Sequence, residues 1–291
     1  MSFELIIPDL CRGGKNIFLT IPDNLKIIIG EKYSNGITIG NLSDEYNMSR
    51  STVGDILRAC QIPKKSKKEI GKKYEINENY FEKIDSHEKA YILGFIMGDG
   101  NISNDVILRI ELNSKDEEIL HKIKNSIRSS APIKRRTRER KGTKTYSSFI
   151  CFCCKKICQD LISNYGMSGN KTEHLSYPKI PLEFDNSFIL GIFDADGSIR
   201  GKSTSKDKWS SVVWDIIATR DMGRIIYEKL LSFNINVKYK DNNYFKIPLS
   251  NVQMYDKYEI IKLREILYKN SSIYLERKHK AFLNVKIQEK K

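Results

Sequence analysis

One pattern occurs twice in this chain. Residues 90–102 read AYILGFIMGDGNI and residues 187–199 read SFILGIFDADGSI, so the closing aspartates, Asp99 and Asp196, stand 97 residues apart. Each copy runs as aromatic, Ile, Leu, Gly, two apolar residues, any residue, a small residue, Asp, Gly, polar, Ile. A duplication at the spacing of one small domain constrains the fold more than any single segment can. The sequence after each copy also matches. VILRIELNSKDEEILHKI (106–123) and VVWDIIATRDMGRIIYEKL (212–230) both read as a strand followed by a helix, and APIKRR and NINVKYK each open a further strand. Each half therefore reads helix–strand–strand–helix–strand–strand–helix. The second half carries a longer first hairpin, GKSTSKDKWSS.

The repeated helix is apolar all round, which marks a buried helix. Gly94 and Gly98, like Gly191 and Ala195, place small residues four apart on one face, a spacing that lets two helix backbones approach closely. Each helix then ends in an aspartate followed by Gly100 or Gly197, read as left-handed helix stops. A carboxylate at a helix C-terminus opposes the macrodipole by about 0.3–1 kcal/mol. If the two helices pack together, Asp99 and Asp196 meet at one end and need a cation between them. Magnesium suits carboxylate and phosphate oxygens.

In ILGFIMGDG (92–100) and ILGIFDADG (189–197) the chain resembles the LAGLIDADG homing endonucleases, over about residues 75–285. The resemblance implies an α+β fold, with two pseudo-symmetric αββαββα half-domains joined through the motif helices and their sheets saddled on the DNA major groove. It implies a monomer that makes metal-dependent double-strand breaks with short 3′ overhangs at a specific duplex site. Magnesium, with manganese as a substitute, would be held by Asp99 and Asp196 with the Gly98 and Ala195 carbonyls. The family also places a basic residue near each centre, and here the matches are Lys171 and Lys278, with Arg277 as the fallback for the second. One position departs from the pattern: Met97 stands where the second copy has Asp194. That position packs or caps near the interface, while the ligand Asp99 is intact, so activity is expected to survive. Such enzymes belong to mobile elements, and host intron RNA is a further partner they imply. The alternatives are a DNA-binding regulator that keeps the fold without cleavage, or an intron RNA maturase. Regulators of that kind commonly lose the motif acids, and both are present here.

Charge supports a polyanionic partner. The chain carries 50 Lys and Arg against 36 Asp and Glu, a net charge of +14, and such an imbalance concerns association rather than fold. The run IKRRTRERKGTK (133–144) leads through a Gly142 turn into TYSSFICF, a basic β-hairpin. Alternate residues of a strand share a face, and a two-stranded ribbon fits the major groove. This places Lys134, Arg136, Arg138 and Arg140 on the nucleic acid, with Arg109 and Glu111 on the preceding strand and Lys238 and Lys240 in the second half.

Residues 1–60 differ in charge, with six basic and seven acidic side chains. GITIGNLSDEYNMSRSTVGDILRACQI (36–62) resembles the helix-turn-helix of resolvase-like and other bacterial DNA-binding proteins. Ser49 would cap its second helix, whose Arg50, Ser51, Thr52 and Arg58 would face DNA. Residues 61–74 hold six Lys and one Glu and read as an exposed linker. The expected order is a helix-turn-helix module over 1–61, a linker over 62–80, and half-domains over 81–176 and 177–291.

Other chemistry is poorly supported. CFCCKKIC (151–158) lacks a second cysteine pair at zinc-finger spacing, and its cysteines read as small buried hydrophobes. The four histidines are scattered. No apolar run reaches membrane-spanning length, the N-terminus lacks secretory character, and six cysteines in a chain this long suit a reducing cytoplasm. The Met at residue 1 and the absence of intein splice blocks point to an intron-encoded or free-standing bacterial or phage gene, with an organellar source as the other origin.

Overall fold

Thr38 and Ser49 each open a helix in the N-terminal part of the chain. In the computed structural model, which describes residues 21–63, 74–140, 142–167, 175–205, 208–242 and 248–285, three helices make up that part. They are α1 (Asp23–Ser34), α2 (Ile39–Glu45) and α3 (Arg50–Ala59). The Thr38 hydroxyl accepts from the Asn41 amide at 3.2 Å and the Ser49 hydroxyl from the Thr52 amide at 3.1 Å. Each satisfies an amide that the first helical turn leaves unpaired. Asn47 takes the left-handed conformation in the turn between α2 and α3, at φ 49°. Ile29, Leu42, Val53, Ile56 and Leu57 are fully buried and form the core of these helices.

Residues 1–73 and 74–291 are separate compact units. Most of the expected linker, residues 64–73, lies outside the described residues, but its C-terminal end differs from a tether. The Ser130 amide donates to the Glu75 carbonyl and the Asn77 amide to the Ile127 carbonyl, each at 3.0 Å. Tyr80 and Phe81 are buried in the second unit's core. Two aromatic side chains bring enough apolar surface to hold this stretch down.

The second unit is α+β. Its first half runs α4 (His87–Asp99), β1 (Gly100–Ser103), β2 (Ile107–Asn113), α5 (Glu117–Ser126), β3 (Lys134–Arg140), β4 (Thr143–Cys153) and α6 (Lys155–Tyr165). The second half repeats this as α7 (Asp185–Asp196), β5 (Gly197–Ser205), β6 (Lys208–Thr219), α8 (Arg220–Ser232), β7 (Lys238–Asn242), β8 (Leu249–Met254) and α9 (Lys257–Tyr268), then adds α10 (Glu276–Leu283). Both sheets are antiparallel, ordered β1-β2-β4-β3 and β5-β6-β8-β7. The two halves are thus related by the same αββαββα order and the same strand permutation.

Residues 90–97 of α4 and 185–194 of α7 are buried on every face. A Cβ on Gly94 would overlap the Phe188 carbonyl oxygen, and one on Gly191 the Tyr91 carbonyl oxygen. Glycine is required at both places by backbone-to-backbone approach. One face of each sheet covers this pair: Leu108, Ile110, Ile150 and Phe152 in the first, Trp214, Ile216, Val252 and Met254 in the second. Among the described residues of this unit, no element covers the opposite faces.

Candidate functional site

The close packing of α4 and α7 brings their C-termini together. An added Cβ on Gly98 would overlap the Ala195 Cβ and stand 3.0 Å from Asp196 Oδ2. The Asp196 carboxylate therefore reaches across to the last turn of α4, one residue from Asp99. Asp196 is exposed and Asp99 half-buried. A cavity of about 290 Å³ opens beside Asp196, lined in part by Met97, Gly98, Leu175, Ile192 and Thr219.

The glycines after the aspartates differ from expectation. Gly100 and Gly197 are extended, at φ −78° and −86°, not left-handed, because the chain passes straight from helix into β1 and β5. A side chain is excluded there by crowding: a Cβ on Gly100 would press on the Ile96 carbonyl and one on Gly197 on the Phe193 ring.

Lys278 is also placed otherwise than expected. It is buried, at 5% exposure. Its ammonium donates to the carbonyls of Phe193 at 2.6 Å, Asp194 at 2.8 Å and Gly197 at 2.6 Å. All three N–H donors are occupied, so the side chain caps the end of α7 and does not reach outward to a phosphate. Burial pushes its pKa down to about 8, against the pull of Asp194. The fallback, Arg277, pairs with Asp116 of the first half at 3.1 and 3.0 Å. Lys171 lies outside the described residues.

The departure between the two motifs has a clear structural meaning. Met97 is buried in the core. Asp194 is buried too, and one of its oxygens accepts from the Tyr91 hydroxyl at 2.8 Å and the Leu275 amide at 2.7 Å. Burial raises its pKa to about 7, opposed by the Leu275 amide and the Lys278 charge. Asp194 ties α7 to α4 and to the segment before α10.

A metal here would find only hard oxygen donors. Two carboxylates stand at adjoining helix ends, and the Ala195 carbonyl is not among those that Lys278 holds. No group of three or more His, Cys, Asp and Glu forms a metal cage among the described residues. Two carboxylates, carbonyls, waters and phosphate make the mixed set that magnesium accepts, so the residues fit that ion.

The open faces carry the expected basic residues. In the first sheet, strand register sets Arg109, Glu111, Lys134, Arg136, Arg138 and Arg140 on one face. Glu111 accepts from Arg109 at 2.7 Å and Ser147 at 2.8 Å, and pairs with Arg138 at 3.1 Å. Burial acts to raise its pKa, but the Ser147 hydrogen bond and the two guanidinium charges outweigh it and the carboxyl lies below its ordinary range. The guanidiniums of Arg109 and Arg136 lie over the Phe149 ring at 4.1 and 5.6 Å. Cys151 and Cys153 share this open face, Cys153 exposed; of the cysteine cluster, Cys154 and Cys158 are the buried ones. In the second sheet Lys238 and Lys240 are exposed on the open face. Sequence reasoning missed their neighbours there, Asn251, Gln253 and the Arg200–Asp215 pair, joined at 2.7 Å. Their period-2 spacing was the available signal.

In the N-terminal unit Arg50, Ser51 and Arg58 are exposed on α3 and Thr52 is half-buried. Arg58 pairs with Asp55 at 3.0 Å. Among the described residues no helix is long and apolar enough to cross a membrane.

No protein-family model matches the chain, and no curated protein does. Solved structures do. The chain is similar to the homing endonuclease I-WcaI bound to its DNA recognition sequence, at 17% identity and a TM-score of 0.47, covering 69% of this chain and 91% of that one. It is similar to the LAGLIDADG meganuclease I-AabMI bound to uncleaved DNA, at 13% identity and a TM-score of 0.43, covering 66% and 86%. It is also similar to full-length DUF199/WhiA from Thermatoga maritima, at 14% identity and a TM-score of 0.40, covering 74% and 68%.

Proposed function

We propose that residues 74–291 form a site-specific DNA endonuclease of the LAGLIDADG homing type, cutting both strands of a duplex with a divalent cation. The observation that carries this reading is the approach of Asp196 to Gly98: two buried helices, each ending in an aspartate, bring both carboxylates to one end of their interface. A carboxylate at a helix C-terminus costs helix-dipole energy, and this occurs at both helix ends. Asp99 and Asp196, with the Gly98 and Ala195 carbonyls, would hold magnesium or manganese. Such an ion, when bound, supplies Lewis-acid chemistry at the phosphodiester and lowers the pKa of water. Lys278 fixes the carbonyls around Asp196 and Asp194 joins the two helices, so the carboxylate needs little reorganisation when DNA arrives. The two open sheet faces hold the duplex, and the α2–α3 unit is an added helix-turn-helix DNA contact. Intron RNA is a second ligand for the same basic faces.

The test is cleavage of a randomised duplex library in magnesium, with the cut ends sequenced. Wild-type protein should yield one recurrent site with short 3′ overhangs. Asp99→Asn and Asp196→Asn should each abolish double-strand cleavage while leaving binding, because a neutral amide is a poor replacement for a charged ligand. Specific binding without cleavage, in magnesium or in manganese, would instead make the protein a DNA-binding regulator.

A further inference from the structure

The two open sheet faces are built alike and carry unlike chemistry. Gly100 pairs with Ile110 and Gly197 with Ile216, which sets the positions of the two sheets in correspondence. Arg109 then corresponds to Asp215 and Glu111 to Ile217. Across the next strand pair Phe149 corresponds to Asn251 and Cys151 to Gln253. A cation answers to an anion, an anion to an alkyl chain, and a ring and a thiol to two amides.

The first face offers fixed guanidiniums. Glu111 holds Arg109 at 2.7 Å and Arg138 at 3.1 Å, and the Phe149 ring lies under Arg109. Arg138 remains 59% exposed. An arginine held this way loses little freedom on binding, and its forked donors match O6 and N7 of guanine in the major groove. The second face offers amides. The Asn251 side-chain nitrogen donates to the Gln253 side-chain oxygen at 3.2 Å, and the Asn251 oxygen is buried with no partner among the described residues. Asn251 therefore positions the Gln253 amide and does not itself meet a base. A glutamine amide matches N6 and N7 of adenine, and an alkyl side chain packs on the thymine methyl. Ile217, paired in register with Asn251, is 41% exposed beside it.

We infer that the target duplex is chemically divided: the half-site under the first sheet is read through guanine by Arg109 and Arg138, and the half-site under the second through A·T pairs by Gln253, held by Asn251, and by Ile217. Glu111 is a positioning residue that aims both arginines. This inference rests on the proposed DNA-binding function, and it is tested without cleavage.

The experiment is selection of bound duplexes from a randomised pool by the full chain, repeated with Arg138→Ala, Glu111→Gln and Gln253→Ala. Melting temperature is measured alongside as a folding control. The wild type should select a site with guanine preferences in one half and A·T preferences in the other. Arg138→Ala and Glu111→Gln should flatten guanine preference in the first half alone, by roughly 5- to 150-fold at the affected pair. Gln253→Ala should flatten adenine preference in the second half alone. Failure to select any sequence would bring down the DNA-binding function and this inference together. A selected site whose guanine preference survives both first-sheet substitutions, or in which all three variants alter the same half, would overturn the inference and leave the function standing.

Discussion

The Lys278 ammonium lies 2.6 Å from the Gly197 carbonyl, and this contact ties α10 to the turn where α7 becomes β5. The same ammonium also takes the Phe193 and Asp194 carbonyls. Lys278→Met keeps much of the stem's apolar contact but leaves three carbonyls without their donor and removes a cation whose charge acts on Asp194. Removing one partner of a buried charge network costs roughly 3–5 kcal/mol. Urea denaturation of the variant should show a loss of that size, and cleavage should fall with it as the end of α7 loosens. A loss under about 1 kcal/mol would show that the cap contributes little.

Asp194 makes stability depend on pH in a defined direction. Burial raises its pKa from 3.8 to about 7, so the folded state holds a proton that the unfolded chain has already released. Stability contributed by the protonated acid is therefore complete below about pH 4 and falls as the pH rises to 7. Thermal melts of the wild type should decline across that window relative to Asp194→Asn, which cannot titrate, by roughly 10 °C. Parallel curves for the two proteins would mean that Asp194 is ionised throughout.

Close contact between α4 and α7 sets the tolerance of their glycines. Gly94→Ala and Gly191→Ala each put a methyl into a carbonyl oxygen of the facing helix. Overpacking of this kind costs typically 1–3 kcal/mol, which exceeds the roughly 1 kcal/mol that alanine gains in a helix. Net destabilisation in chemical denaturation is the expected result, whereas Gly36→Ala is limited by its positive φ of 99° and has nothing to strike. Equal effects at all three sites would contradict the interface argument.

Much of this architecture was legible because it is local or repeated. The duplication marks α4 and α7, the small residues mark their contact, and strand period 2 places Arg109, Arg136 and Arg138 together. What was illegible depends on distant partners. Lys278 lies 81 residues from Gly197, and nothing in ERKHKAF says that its ammonium turns inward. Gly100 and Gly197 obey a local rule for helix ends, yet the strand that follows overrides it. Cys151 and Cys153 look like their buried neighbours Cys154 and Cys158, and only the strand's parity separates them.

The basic ribbon should govern the salt dependence of binding. Arg136 and Arg140 are exposed on the open face of the first sheet, and neither is held by Glu111. Each phosphate contact removed lowers the slope of log affinity against log salt by roughly 0.9. Arg136→Ala with Arg140→Ala should therefore lower it by up to about 1.8, measured by titration at several salt concentrations. An unchanged slope would place the ribbon away from the duplex.

The N-terminal unit should add affinity without directing the cut. Both aspartates and both sheets lie in residues 74–291, so that unit holds the proposed chemistry alone. Residues 1–60 carry no net positive charge, with six basic and seven acidic side chains, and Arg58 is paired with Asp55. Independent binding by α2 and α3 should accordingly be weak. A weak module tethered to a stronger one still contributes, because the tether turns its binding into an intramolecular event at high effective concentration. Deleting residues 1–73 should weaken binding by roughly one to two orders of magnitude, and the footprint should shorten on one flank only, since one such module is attached to a two-fold pseudo-symmetric body. The cut should stay at the same phosphates. Identical footprints for the full and truncated chains would assign residues 1–60 a packing role, and a displaced cut would give them a part in setting register.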